Sequence, residues 1–127
     1  MAKLKVLSTH VSMDVPDLEK TTRYLEDALG IAKQREVTVP GLGRIAFYPG
    51  LELMQASAGQ QAGVVKHVAW EVEDIVAAMQ ELGEKGVVFE TDRPQEAPFR
   101  ETGEMVLYVN FTTPVGFAGE LIQVCKM

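Results

Sequence analysis

Apolar and polar residues alternate along residues 4–15, and this two-residue period is typical of a β-strand with one buried face. The apolar face consists of Leu7, Val11, Met13 and Val15. The other face carries small or polar side chains, namely Ser8, His10, Ser12 and Asp14. The pattern therefore predicts a strand that packs a core with one face and leaves His10 on an open, polar face.

The same alternation returns over residues 64–72, with His67 on the polar face. Apolar residues at helical spacing follow each of these strands, in the stretches 17–30 and 74–86. Both stretches begin with an aspartate, which favours a helix start, and finish at glycines, which favour a helix end. The sequence therefore predicts a strand followed by a helix, twice.

Three further strands are predicted after each helix, separated by turns rich in glycine and proline. The first set covers residues 34–39, 44–48 and 51–56, and the second set covers residues 87–90, 105–110 and 120–125. Residues 93–104 show no periodicity, which predicts a loop lying over an opening. Each half of the chain is thus predicted to be a βαβββ unit.

The two halves also repeat each other in sequence. Residues 10–18 align with residues 67–75 with four of nine positions identical, and two shorter segments align in the same order. The shorter pairs are 43–48 with 103–108 and 52–55 with 120–123. The growing offset places small insertions between the anchors, where loops tolerate them. We expect one domain over residues 1–127, with modules at about 4–58 and 63–126.

The repeat places the same two ligand types in each half, a histidine on the first strand and a glutamate on the last. They are His10 and Glu52 in the first half and His67 and Glu120 in the second. If the halves pack about a pseudo-twofold axis, these four side chains converge between the sheets. Mixed imidazole and carboxylate ligands suit one divalent ion of Zn, Ni, Co, Mn or Fe and disfavour calcium, which prefers oxygen throughout.

Composition narrows the class of protein further. The 127 residues are 46% hydrophobic and 24% charged, typical of one globular domain, and the formal charge of −6 disfavours nucleic acid and anionic lipid as partners. The chain has a single cysteine, Cys125, and no stretch resembling a signal peptide or a membrane span. We therefore expect a cytoplasmic protein.

These residues resemble the vicinal oxygen chelate superfamily over roughly residues 5–125. Its members include glyoxalase I, methylmalonyl-CoA epimerase, fosfomycin-modifying transferases, ring-cleaving dioxygenases and bleomycin-binding proteins. The closing motif of the family, a Pro-x-Gly turn with a glutamate six residues after the proline, matches Pro114, Gly116 and Glu120. Thr113 and Phe117 depart from residues that are usual beside that turn.

The resemblance implies an α+β fold in which two tandem βαβββ modules form U-shaped mixed sheets around a central cleft. It also implies that His10, Glu52, His67 and Glu120 are the metal ligands, and that the protein pairs as a homodimer. The second half looks closest to members of the glyoxalase I and methylmalonyl-CoA epimerase type.

Four protein ligands leave two positions on an octahedral ion, which suits proton transfer beside a metal-bound carbonyl of a small-molecule substrate. Glu52 and Glu120 are the candidate catalytic bases of such an isomerase or lyase. Arg100, Tyr48 and Tyr108 are candidate substrate-binding residues, since a loop arginine can clamp an anion and the two tyrosines match across the repeat.

Three other functions stay open at this stage. A metal-free binding or drug-sequestering protein of the bleomycin-resistance type would use the cleft without the ligands. A ring-cleaving dioxygenase would need a further histidine or tyrosine as acid or base, but the chain has two histidines only. A thiol transferase acting on a phosphonate would leave Glu52 unused and would need a basic pocket, whereas basic residues are sparse.

Overall fold

A computed structural model describes residues 4–57, 65–115 and 117–127. The first half contains β1 (Ser8–Val15), α1 (Leu18–Arg23), a π-helical turn (Tyr24–Ala28), β2 (Arg35–Val39), β3 (Gly43–Tyr48) and β4 (Leu51–Gln55). The second half contains β5 (Val65–Glu71), α2 (Ile75–Glu84), β6 (Gln95–Phe99), β7 (Glu104–Thr112) and β8 (Ala118–Lys126). No helix among these residues is long and apolar enough to cross a membrane.

The eight strands form one mixed sheet in the order β2-β3-β4-β1-β5-β8-β7-β6. Each half contributes its first, fourth, third and second strand in that order, counted outward from the centre of the sheet. The two first strands, β1 and β5, are equivalent and pair antiparallel. Each half then adds its last strand parallel to its first, β4 to β1 and β8 to β5. The two outer strands, β2 and β6, contact each other, so the sheet curves until it is nearly closed. This confirms the predicted fold of two βαβββ units.

Three clusters of buried side chains cover the two faces of the curved sheet. Two of them pack the helices onto the convex face, around Leu18 and Leu53 in the first half and around Ile75 and Leu121 in the second. The third lies inside the curve and joins β2 and β3 to β6 and β7. The concave face is therefore largely apolar along its outer strands, whereas β1 and β5 carry mostly polar residues on that face. The module boundaries fall beside residues 58–64, outside the described residues, and stay a prediction.

The sixth strand does not lie where the sequence predicts it. Residues 87–90 make a single bridge, from Phe89 to Phe111, and Val88 is 79% exposed. The strand is instead β6, inside the predicted loop 93–104, where Ala97 and Phe99 are buried against β7. The prolines that indicated a loop are compatible with β6 because it is an edge strand, in which a missing N–H does not break a ladder.

Gln55 and Gln123, which match across the repeat, fasten each helix to the last strand of its own half. The Oε1 atom of Gln55 accepts a hydrogen bond from the backbone N–H of Leu18 (2.9 Å), and that of Gln123 accepts one from Ile75 (2.9 Å). Leu18 and Ile75 are the first residues of α1 and α2, whose initial N–H groups have no partner within the helix. The glutamines therefore complete the helix caps and do not contact the polar concave face.

We predict that Gln123→Ala lowers the free energy of unfolding by about 1 kcal/mol, because the buried N–H of Ile75 loses its acceptor. Gln123→Glu is the matched control, since it keeps an acceptor oxygen at the start of α2, where a negative charge is also favourable. Urea unfolding of the three proteins tests this difference. Equal losses of unfolding free energy in the alanine and glutamate variants would show that the acceptor oxygen at residue 123 does not stabilise the protein.

Candidate metal centre

Strand register brings the two histidines and two glutamates onto one face of the sheet. On the central pair, His10 of β1 lies opposite Ala69, and His67 of β5 lies opposite Ser12. Glu52 of β4 also lies opposite Ser12, and Glu120 of β8 lies opposite Ala69. Directly opposed residues in a sheet project to the same side. The four side chains therefore surround the centre of the concave face in a nearly symmetric arrangement.

The distances between these groups are those of a compact cluster. The ligand atoms of His10, His67 and Glu120 lie within 4.8 Å of one another. Glu52 is outside that set of three but adjoins it, because its Oε2 lies 2.7 Å from Nε2 of His10. The equivalent pair in the second half, His67 Nε2 and Glu120 Oε1, is separated by 3.1 Å. The structure thus places each predicted ligand beside a partner from its own half.

The histidine nitrogens fit a cation better than they fit the carboxylates. Both Nε2 atoms are buried and make no aligned hydrogen bond within the described part of the chain, although a carboxylate oxygen lies close to each. A buried ring nitrogen without a hydrogen bond is unfavourable unless another group satisfies it. Two neutral imidazoles and two carboxylates match the charge and ligand preference of a divalent transition metal or zinc. Residues His10, His67 and Glu120, with Glu52, fit such an ion.

The carboxylates also affect the protonation of His10. Burial by itself lowers the pKa of this imidazole, but its contact with Glu52 and the charges of Glu52, Glu120 and Glu71 act in the opposite direction and prevail. The pKa of His10 is therefore raised above its ordinary value of 6.5. In the metal-free protein the imidazolium form is favoured by folding.

This shift gives the metal-free protein a pH-dependent stability. A pKa that is higher in the folded state stabilises the fold below the unfolded-state pKa, and that contribution disappears as the pH rises through the folded-state pKa. We predict that the difference in unfolding free energy between wild type and His10→Gln favours wild type most at pH 5 and shrinks toward pH 8. Urea unfolding in the presence of a chelator measures the difference. A gap that widens with rising pH contradicts the assignment.

The cluster opens into a cavity of about 590 Å³ inside the curved sheet. The cavity wall is polar along β1 and β5 and at Glu52 and Glu120, and it is largely apolar elsewhere, where it includes Ile45, Phe47, Phe99, Val106 and Ile122. Among the lining residues that are described, the carboxylates outnumber the cations, which are Arg35 and Lys66. A cavity of this volume is large enough for a small organic molecule, with polar side chains at the cluster and apolar side chains over the remainder.

The two predicted substrate-binding tyrosines occupy different surroundings. Tyr108 of β7 packs against the apolar cluster inside the curve of the sheet. Burial and the charge of Glu120 both raise the pKa of its hydroxyl, so Tyr108 keeps its proton and can donate a hydrogen bond. Tyr48 borders the cavity, but it packs with Leu18 on the helix side, where its hydroxyl donates to Glu26 (3.4 Å). The position of Tyr108 suits contact with a substrate, and that of the Tyr48 hydroxyl does not.

The prediction that Arg100 binds substrate needs correcting, because the structure does not place Arg100 in the cavity. Since β6 takes up residues 95–99, Arg100 begins the turn that returns the chain to β7, closed by a hydrogen bond from the Gly103 N–H to the Phe99 carbonyl (2.9 Å). The side chain is exposed there and is not among the cavity-lining residues. The arginine that lines the cavity is Arg35 on β2.

Sequence reasoning also missed other polar residues of the cavity. Lys66 reaches it because the pairing of β1 and β5 shifts register between Ser12 and Met13, so that Lys66 is the extra residue of a bulge. Ser12 is fully buried, and its hydroxyl has no hydrogen-bond partner within the described ranges. The Oδ1 atom of Asn110, a residue opposite Glu120, is also buried and has no partner among the described residues. Free polar atoms beside both glutamates are consistent with a site that holds a further group.

A model of the Glyoxalase/Bleomycin resistance protein/Dioxygenase superfamily matches residues 9–105 of the chain. This stretch contains both histidines and Glu52. Glu120 lies beyond it, so the match does not cover the last ligand of the cluster.

Three proteins are similar to the chain over most of its length. The chain is 28% identical to mouse mitochondrial methylmalonyl-CoA epimerase over 129 aligned positions, covering 90% of the chain and 69% of the mouse protein. A crystal structure of a methylmalonyl-CoA epimerase superposes with a TM-score of 0.74 at 21% identity, covering 99% and 100% of the two chains. The epimerase of Streptomyces coelicolor, solved with 2-nitronate-propionyl-CoA, gives a TM-score of 0.67 at 19% identity over 95% and 98%. At these identities the structural matches show a shared fold.

Proposed function

The chain belongs to the Glyoxalase/Bleomycin resistance protein/Dioxygenase superfamily, and on that basis we propose that it is a metal-dependent isomerase or lyase that moves a proton beside a carbonyl group. The metal ligands of the proposal are His10, Glu52, His67 and Glu120. The observation that carries it is the pair of matching histidine and glutamate contacts at the wall of a cavity, where neither Nε2 atom has an aligned hydrogen bond to any described residue. The similarity to methylmalonyl-CoA epimerases supports the same class of reaction.

A bound divalent ion would act as a Lewis acid toward a carbonyl oxygen and favour loss of the proton on the neighbouring carbon. The protein has to supply a base for that proton. Glu52 and Glu120 approach the centre from β4 and β8, on opposite sides of the central strands, so one takes a proton on one side and the other returns a proton on the opposite side. Isomerisation or epimerisation follows from two such carboxylates.

The remainder of the cavity supports this chemistry. The apolar wall around Ile45 and Val106 keeps water away from the reacting carbon, which strengthens electrostatic interactions in the site. Tyr108, held in its protonated form, supplies a hydrogen-bond donor near Glu120. The proposal also includes a homodimer, a cytoplasmic location and one divalent ion of Zn, Ni, Co, Mn or Fe.

The test compares Glu52→Gln and Glu120→Gln with wild type. Metal-loaded proteins are incubated in D2O with methylmalonyl-CoA or with the adduct of methylglyoxal and glutathione, and turnover and deuterium uptake are followed by NMR. We expect each substitution to reduce turnover of an accepted substrate by about 100-fold or more, since a general base contributes a factor of that order. Glu81→Gln, on α2 outside the cavity, is the matched control.

Metal content is measured on the same samples, because loss of a ligand also lowers occupancy. Wild-type turnover in both cavity variants contradicts the roles of the two glutamates. Binding of small apolar molecules with equal affinity in metal-free and metal-loaded protein, without any deuterium uptake, instead supports a sequestering protein.

A further inference from the structure

Arg35 lines the cavity without being part of the metal centre, and its side chain is 39% exposed. Its guanidinium lies over the rings of Phe47 (4.8 Å to the centroid) and Phe99 (5.6 Å). Its Nη1 donates to Oε1 of Glu104 (2.8 Å), which also accepts from the Thr102 hydroxyl (2.8 Å). Two rings and one carboxylate thus orient the guanidinium before a ligand binds, which reduces the entropy lost on binding.

Register relates Arg35 to the metal centre. Arg35 of β2 lies opposite Phe47 of β3, and Phe47 lies opposite Glu52 of β4. These residues therefore form one row across the concave face, with Arg35 two strands from Glu52. Because adjacent strands are about 4.8 Å apart, the backbones of Arg35 and Glu52 are separated by about 10 Å along the sheet. A small molecule can reach from the centre to the guanidinium.

The charges in the cavity indicate what Arg35 can bind. Glu104 contacts the guanidinium through Nη1, and a guanidinium carries five N–H donors in a planar fork that matches carboxylates and phosphates. Lys66, the other cation that lines the described cavity, lies 3.7 Å from the carboxylate of Asp14. Arg35 is therefore placed to receive an anion on the side of the cavity formed by β2.

We propose that Arg35 is a specificity-determining residue that binds an anionic group, a carboxylate or a phosphate-like group, at the end of the substrate remote from the metal. The inference rests on the proposed function, because it assumes that the carbonyl end of the substrate binds at the metal centre. It narrows the substrate class to carbonyl compounds with an anionic group a few bonds from the reacting carbon. Arg35 takes the role that the sequence suggested for Arg100.

The test measures binding of matched 2-oxo acids to Zn²⁺-loaded protein by isothermal titration calorimetry. The probes are 2-oxopentanoate, 2-oxoglutarate and 2-oxo-4-phosphonobutanoate, which share the metal-binding end and differ in the distal group. We expect wild type to bind at least one of the two distal anions about 10-fold or more tightly than 2-oxopentanoate, as a charge-assisted hydrogen bond predicts. The distal anion that binds more tightly shows whether the site prefers a carboxylate or a phosphonate.

Two variants separate anion binding from a structural role of the ion pair. Arg35→Gln should lose the preference for the distal anions and keep the affinity for 2-oxopentanoate. Glu104→Gln breaks the same ion pair but leaves the arginine, so it should keep the preference or increase it. Arg44→Gln removes an arginine that pairs with Glu36 and Glu19 away from the cavity lining, and should change nothing.

Equal affinity of wild type for all three probes overturns the inference, and so does an identical loss in Arg35→Gln and Glu104→Gln. In both cases metal-dependent binding of 2-oxopentanoate leaves the proposed function standing. If wild type takes up no Zn²⁺, or binds all the probes equally well without it, the proposed function itself fails.

Discussion

Replacing His67 with glutamine should lower the affinity of the metal-free protein for Zn²⁺ by at least about 100-fold, since changes to groups that merely orient a ligand already cost 10 to 100-fold. The expectation follows from the position of His67 within 4.8 Å of the ligand atoms of both His10 and Glu120. His10→Gln should cause a loss of the same size, because the two residues occupy equivalent places on β1 and β5.

The measurement is a competition titration of metal-free protein against a chromophoric chelator. Glu71→Gln is the control, because Glu71 lines the same cavity and accepts a hydrogen bond from Ser8 (2.7 Å) but lies outside the cluster. It should bind Zn²⁺ nearly as wild type does. A His67→Gln variant with wild-type affinity contradicts the assignment of the ligand.

Leu121→Ala should destabilise the metal-free protein by about 2–5 kcal/mol, the range seen for large buried side chains replaced by alanine. Leu121 is 0% exposed and packs with Ile75 of α2 and Val109 of β7. It directly follows Glu120, so the same strand presents a ligand to one face of the sheet and a core residue to the other. The loss is a large part of the stability of an ordinary domain.

Urea unfolding of metal-free protein measures this effect. Leu29→Ala is the matched control, because Leu29 is 53% exposed and its truncation should change the free energy of unfolding by less than about 0.5 kcal/mol. Similar midpoints for the two variants would mean that Leu121 does not contribute to the core as described.

Both effects arise from one property of the fold. Successive side chains of β8 and β1 project to opposite faces of the sheet. Glu120 and His10 therefore lie on one face, and their neighbours Leu121 and Val11 lie on the other. Because each half carries the same pattern, joining β1 to β5 doubles the set of ligands. The symmetry is incomplete, since buried Ser12 lies opposite Glu52 where Ala69 lies opposite Glu120.

The central part of this arrangement was predictable from sequence. Period-two alternation placed His10 and His67 on polar faces, and the internal repeat identified Glu52 and Glu120 as an equivalent pair. Both signals are local or depend only on matching segments. The structure shows the four groups gathered on one face, as the repeat indicates. Their role as metal ligands stays a prediction.

Other features depend on pairing that no local pattern encodes. The prolines of β6 indicated a loop, and only its place at the edge of the sheet makes a strand possible. Arg35 faces the cavity because of the joint register of β2, β3 and β4, and Lys66 because of a bulge in the β5 pairing. Gly116 of the predicted Pro-x-Gly turn lies outside the described residues.

The most direct test of a single centre formed where the two halves meet is the stoichiometry of metal binding. Metal-free wild type is titrated with Zn²⁺, and bound metal is determined by elemental analysis after removal of the excess. We predict one tightly bound ion per chain, lost on replacing either His10 or His67. Two ions per chain, each retained when the histidine of the other half is replaced, or no tightly bound ion at all, would contradict it.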